Sequence, residues 1–413
     1  MSVLKLEYKR ILKTRSTVII FAAALLISAL LAYLPTTFAY SAYINEAGEM
    51  VELRGLKSIR YEQTLQQGIS ARVDGEDFRY AVETYQACLN EYGLENSYEL
   101  PGEVYTQRIT PVAPLLSGLK EVFADPTTGI QPTVMQIDPS LAENFYELSK
   151  SALFSQAQRS LPEAALKQAV RLYDKVAVPF VFSPASNPNA MDYQVLCAFI
   201  VMLLCSVVVS PIYSSNYQTG ADDILRCTKH GRVRLALCSA FVALSLSAAV
   251  FIACTGVYIL LSNSFFGWEC VKTSIQLMYS ALNLAALDMG GLQLTVFLGC
   301  LLSVLATVSF SLFISSKVKN NVTSLCASIF TCLAPVLIYL AVPGSFGLLL
   351  RCLVPSAGSC LQSSILYALT DFEFLTFGNL SLWSPFAMMI FGAISVPLFS
   401  GLAVWGYAGH GSK

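Results

Sequence analysis

Charge is scarce in this chain. Asp, Glu, Lys and Arg make up 13 % of its 413 residues against 55 % apolar, and mean hydropathy is +0.58. An ordinary soluble domain carries about a quarter charged residues, so this composition is that of an integral membrane protein. The net charge of −1 by itself says nothing about a nucleic-acid partner, and none is expected of a membrane protein of this kind. Histidine is scarcer still. With His230 and His410 alone, a His-dependent external triad and a His-x-x-x-His zinc site are both excluded. No Gly-x-x-x-x-Gly-Lys-Ser/Thr string occurs, which excludes ATP binding by a phosphate loop. Asp222 and Asp223 are adjacent, so on a helix their carboxylates diverge rather than pair. No enzyme constellation, metal site or cofactor is expected in this chain.

The apolar runs lack charge altogether. Six are long enough to cross a hydrocarbon core of about 30 Å: residues 17–34, 193–213, 235–261, 292–314, 322–342 and 384–407. None contains Asp, Glu, Lys, Arg or His. Carriers driven by proton or sodium gradients keep ionisable groups at membrane depth, so that class is disfavoured. Twelve of the 26 Lys and Arg fall in four short segments around residues 1–16, 214–234, 315–321 and the C-terminus. By the positive-inside rule that side is cytoplasmic and holds both termini.

The spacing predicts an all-α membrane protein with six transmembrane helices and a mainly helical extracytoplasmic domain between helices 1 and 2. Residues 1–16 place Leu4, Tyr8, Ile11 and Leu12 on one helical face, which predicts an interfacial helix lying on membrane lipid. A signal-peptide n-region is the alternative; the run 17–34 exceeds the about 7–15 residues of a signal h-region. Pro35 ends the span. Residues 36–190 are long enough for a small core of their own. Asp74 starts a helix through Phe78, Val82 and Leu89 that ends near Gly93. Asp138 with Pro139 starts another, and Ser160 with Glu163 reads as a capping box. The aromatics Tyr80, Tyr85, Tyr92, Phe145 and Tyr146 fall at core spacing, with a ligand-lining surface as the alternative. Residues 274–287 read as an interfacial helical run, broken by Gly290-Gly291. In 343–382 two apolar pieces too short to span, 346–354 and 360–369, read as a re-entrant pair. Most of the 12 cysteines lie in spans; pairing of Cys352 with Cys360 is left open.

The most informative stretch is 213–234, Tyr-Ser-Ser-Asn-Tyr-Gln-Thr-Gly-Ala-Asp-Asp-Ile-Leu followed by Arg-Cys-Thr-Lys-His-Gly-Arg. Tyr217, Ala221, Ile224, Leu225 and Thr228 share a helical face, with Gln218, Asp222, Arg226 and Lys229 opposite and Gly231 as a stop. From periodicity alone, a solvated loop helix between two spans fits equally well. The string resembles the coupling helix between the second and third spans of type 2 permeases of ATP-binding-cassette exporters. The helical domain after the first span and the broken pair before the last resemble the layout of those permeases in Gram-positive bacteria.

That resemblance implies a bacterial plasma-membrane exporter subunit and a cytoplasmic ATPase partner carrying ATP and Mg. It also implies a second permease chain, identical or homologous, and ATPase contact through Asn216, Tyr217, Ala221, Ile224, Leu225 and Thr228. The family often has an acidic residue at the position of Asn216, which suggests a weakened or asymmetric contact here. The uncharged spans suit an amphipathic substrate such as a peptide, an antibiotic or a lipid-like molecule. A membrane receptor or scaffold that senses ligand through the external domain is the alternative.

Overall fold

The computed structural model describes residues 3–185, 187–227 and 232–409. The chain is mostly helical, and six of its helices are long and apolar enough to cross a membrane. Helix α1 (Val3–Leu12) leads into α2 (Arg15–Tyr33), and a 3-10 turn over Leu34–Phe38 follows at Pro35. A large lobe then holds the hairpin β1 (Tyr40–Ile44) and β2 (Met50–Arg54), α3 (Leu56–Leu65), β3 (Arg72–Val73), α4 (Gly75–Tyr92), α5 (Ala113–Val122), α6 (Phe145–Ser160), α7 (Glu163–Tyr173) and β4 (Phe180–Val181). The chain returns through α8 (Asn189–Val209), α9 (Pro211–Gln218) and α10 (Ala221–Arg226). Then come α11 (Val233–Phe266), α12 (Met289–Lys317), α13 (Asn321–Ala341), α14 (Gly344–Leu353), α15 (Ile365–Thr370), the hairpin β5 (Phe374–Phe377) and β6 (Leu380–Trp383), and α16 (Ser384–Gly409).

The long helices are α2, α8 with α9, α11, α12, α13 and α16. In α8 and α12 61 % and 56 % of the most apolar window is buried, against 28 % in α2, α13 and α16, so α8 and α12 form the interior. Small and hydroxyl side chains let helices close on α12. A Cβ on Gly406 of α16 would stand 2.7 Å from Ser316 Oγ, so any other residue there would have to displace that hydroxyl. Lys317 ends α12 and Asn320 caps α13 through the Val322 N–H, giving the short turn expected there.

The lobe is mainly helical, as expected, but its core reaches beyond 36–190. Asp74 caps α4 in a box closed by Asp77, and Gly93 ends it at φ +65°, both legible from sequence. Asp138 caps only the short turn Pro139–Ala142. The Ser160 box does not form. Ser160 is still helical and donates back to the Gln156 carbonyl, so Pro162 occupies the N-cap of α7. Phe145 is fully buried, but Tyr80 and Tyr92 are exposed, on the solvent flank of α4 rather than its core face. Residues 274–287 helix only over Ile275–Met278, because Gln276 Nε2 takes the Asn283 and Ala285 carbonyls and folds the chain back. That loop fills the lobe core: Ala281 and Leu282 are buried, and Glu121 Oε2 accepts from Ser280 Oγ and the Ala281 N–H. Gly290 and Gly291 are not a break but the first turn of α12, where Asp288 caps the Gly291 N–H.

The segment before α16 is a broken helical pair, α14 and α15, joined by 3-10 turns over Ala357–Ser359 and Leu361–Ser363. Its placement follows from Pro335 inside α13. A proline there has no N–H for the Thr331 carbonyl, and Ser356 Oγ donates to that oxygen instead at 2.6 Å. Cys360 Sγ reaches the Cys332 carbonyl and Ser363 Oγ that of Pro335, while Ser303 of α12 holds the Pro355 carbonyl. The non-helical backbone of this pair is thus held between α12 and α13. Cys352 and Cys360 are free thiols, and Cys360 is committed to the Cys332 carbonyl.

Beside this pair Arg351 is buried, bonds Glu373 Oε1 at 2.7 Å and lies 5.0 Å from the Tyr339 ring centre. Partial burial and the Glu373 carboxylate push the Asp371 carboxyl up to about 6, against the pull of Arg351. A raised carboxyl pKa favours the folded state most below the unfolded value of about 3.8, and that contribution is lost as pH rises to about 6. Melting curves between pH 4 and 8 should therefore show the protein losing stability, relative to Asp371→Asn, across that window and no further above it. Parallel curves for the two proteins would contradict the assignment.

Candidate coupling junction

At the end of the bundle opposite the lobe, α1, α9, α10 and the ends of α11, α12 and α16 converge. Pro211 starts α9 as a separate helix after α8. The first-turn N–H groups of Tyr213 and Ser214 donate to Ser315 Oγ of α12 at 3.1 and 3.0 Å, a cap supplied by a neighbouring helix. Ser324 Oγ of α13 holds the Ser210 carbonyl at 2.7 Å, so the joint between α8 and α9 is pinned from two sides.

Three tyrosines lock α9 to α16. Tyr407 is fully buried, with its ring centre 4.8 Å from Tyr213 and 5.8 Å from Tyr217. Tyr213 donates to the Ala236 carbonyl of α11, and Tyr217 to the Ser316 carbonyl of α12. Helix α1 joins through charge. Glu7 is buried and accepts from Ser239 Oγ of α11 at 3.0 Å and Arg10 Nη2 at 2.8 Å. Arg10 Nη1 reaches Asn216 Oδ1, and Asn216 Nδ2 donates to the Tyr407 hydroxyl, each at 3.4 Å. A displacement of α9 is therefore felt by α1, α11, α12 and α16 together.

The predicted single helix over Tyr217–Thr228 is two. Gly220 takes φ +72°, a left-handed conformation that ends α9 and turns the chain into α10. Asn216 and Tyr217 consequently belong to the end of the spanning helix and pack inward, buried and half-buried. Within α10 the polarity is the reverse of the wheel: Asp222 is buried and Ile224 is 74 % exposed. Ala221 and Leu225 are half-buried, and Thr228, Lys229, His230 and Gly231 lie outside the described residues.

On α1, Ile11 is buried and Leu4 and Tyr8 are packed half-buried, with Tyr8 sharing a 2.6 Å hydrogen bond with Ser245. Leu12 does not share that face; one residue beyond Ile11 at the helix end, it stays exposed. Glu7, Arg10 and Tyr407 were missed. For Glu7 the signal was present, since it completes the i, i+3, i+4, i+7 face of Leu4, Tyr8 and Ile11.

Among the described residues no group of three His, Cys, Asp or Glu comes together as a metal-binding cluster. The junction is built of aromatic packing, an ion pair between buried Glu7 and exposed Arg10, and capping hydroxyls. No known protein family matches the chain, and neither the curated proteins nor the solved structures contain a match, so its own geometry carries the functional reading.

Proposed function

We propose that the chain is the permease subunit of an ATP-binding-cassette exporter in a bacterial plasma membrane. It works beside a second permease chain and a cytoplasmic ATPase that carries ATP and Mg. In this reading both termini and α10 are cytoplasmic, and the lobe is an extracytoplasmic domain. Motion delivered to α10 passes through the tyrosine lock to the spans. The observation that carries the proposal is Ile224, a large apolar side chain 74 % exposed on a short helix set directly on the pinned end of a span. Such a residue is suited to fill a cleft on a partner. The apolar runs within the long helices add support: residues 17–34, 193–213, 235–261, 292–314, 322–342 and 384–407 hold no Asp, Glu, Lys, Arg or His for an ion gradient and suit an amphipathic substrate.

Ile224→Asp tests this without touching the core. Truncating a central apolar anchor typically costs 2 kcal/mol or more, about 30-fold in affinity. The variant is expected to reach the membrane in normal amount and to lose the co-purifying ATPase. Unchanged ATPase recovery would contradict the proposal and favour a receptor that needs no ATPase.

A further inference from the structure

The lobe contains a second site, unrelated to the junction. A cleft of about 560 Å³ lies between β1, α3, the turns after residue 96, and the short helix Ile275–Met278. Its walls are Tyr40, Tyr98, Tyr105, Pro188 and Leu277, and the carboxylate of Glu62 lines it as well. That volume is in the range of sites that enclose a small ligand, about 300–1,000 Å³.

Glu62 is held in place from behind. Ser41 Oγ and Ser58 Oγ lie 2.9 and 3.2 Å from Oε1 and 2.6 Å from each other, both fully buried; with one proton each, one serine donates to Oε1 while the other donates either to that oxygen or to its neighbour. Among the described residues no hydrogen bond falls on Oε2. Burial raises the Glu62 carboxyl above its usual range, and the two serine hydroxyls, which stabilise the ionised form, act against that rise. The tyrosines present aromatic faces with unusual exposure: Tyr98 is 87 % exposed and Tyr40 46 %. One such face already attracts a cation, since the Arg54 guanidinium lies 5.8 Å from the Tyr40 ring centre while bonded to Glu52. Residues 36–192 carry twenty acidic and twelve basic side chains, a field that draws cations toward the lobe.

We propose that this cleft binds an organic cation on an apolar body, an alkylammonium or guanidinium group, with Glu62 facing the charge and Tyr98 and Tyr105 flanking it. A carboxylate anchored by two buried hydroxyls at an aromatic wall matches that chemistry, and a neutral or anionic ligand leaves the charge unpaired. The inference adds a charge to the amphipathic substrate of the exporter reading, yet its test needs neither ATPase nor transport.

Full-length protein in nanodiscs of zwitterionic lipid is titrated with dansylcadaverine, a fluorescent primary amine, and with its N-acetylated form, which keeps the body and loses the charge. Anisotropy is expected to show saturable binding of the amine and about tenfold or weaker binding of the acetylated probe, the range of a desolvated ion pair. Glu62→Gln, which retains an acceptor for both serines, should erase that difference. Tyr98→Ser, at a position with almost no packing to lose, should weaken the amine about three- to tenfold, as for loss of a cation–aromatic contact. Equal affinity for the two probes, or a Glu62→Gln protein that still distinguishes them, would overturn the proposal. Because Ile224→Asp leaves this cleft intact, loss of ATPase recovery with cation binding retained separates the two readings.

Discussion

Tyr407→Ala is expected to disconnect the loop helix from the spans. The ring is fully buried between Tyr213 and Tyr217, at 4.8 and 5.8 Å between centres, and it is the only side chain of α16 in either stack among the described residues. Removing a buried aromatic to Ala costs about 3–5 kcal/mol. Here that loss falls on the lock between α9 and α16 rather than on the whole bundle, because α12 and α16 remain packed along their length. Amide hydrogen exchange over 213–226 should accelerate by about a hundredfold or more, the equivalent of about 3 kcal/mol, with the other spans unchanged. If the chain works with an ATPase, that enzyme should still bind, through the untouched Ile224, while its hydrolysis no longer drives transport. Tyr407→Phe separates packing from polarity. It keeps the ring and removes the hydroxyl that Asn216 meets at 3.4 Å, a loss of about 1 kcal/mol, and should behave nearly as the parent. Unaltered exchange in Tyr407→Ala would mean that α9 is held without that ring, by its bonds to Ser315, Ser324, Ala236 and Ser316.

Phe145→Ala should be the most damaging single change in the lobe. Its ring stacks on Phe78 at 3.7 Å and meets Phe180 edge-on at 6.0 Å, and both neighbours are fully buried. Gly118 leaves room for the same ring, with a would-be Cβ 3.5 Å from its tip. Tyr146 beside it bonds the Val73 carbonyl and accepts from the Phe180 N–H, so α6 also fixes the β3–β4 pair. The cavity costs about 3–5 kcal/mol, enough to open a marginal lobe. Limited proteolysis should cut the variant within 36–190 while the six long helices stay in the membrane fraction. A protease pattern identical to the parent's would show that the lobe core is held elsewhere.

The spans, their order and the broken pair before α16 were legible because continuous apolar length is a one-dimensional signal. So were the Asp74 and Gly93 boundaries of α4, where cap chemistry lies next to the helix it ends. What was not legible depends on which of several locally possible bonds or backbone conformations the chain adopts. Ser160 looks like a cap until Pro162 takes the position. Residues 274–287 have helical spacing, yet Gln276 spends its amide on the chain's own carbonyls. The loop at 213–234 was misread in one respect, because Gly220 was placed inside a helix when its left-handed backbone divides two. That division moves Asn216 and Tyr217 from a partner-facing surface into the tyrosine lock, and leaves Ile224 as the exposed apolar residue of α10. Glu7 could have been read from its helical face, but its partners Ser239 and Arg10 show only in three dimensions.

The most direct test is to purify the tagged chain from its native membrane in mild detergent and identify what accompanies it by mass spectrometry. The exporter reading predicts a nucleotide-binding ATPase in stoichiometric amount, lost on Ile224→Asp and retained on Tyr407→Ala. Recovery of the chain with no nucleotide-binding partner, under conditions that keep a known exporter intact, would contradict it.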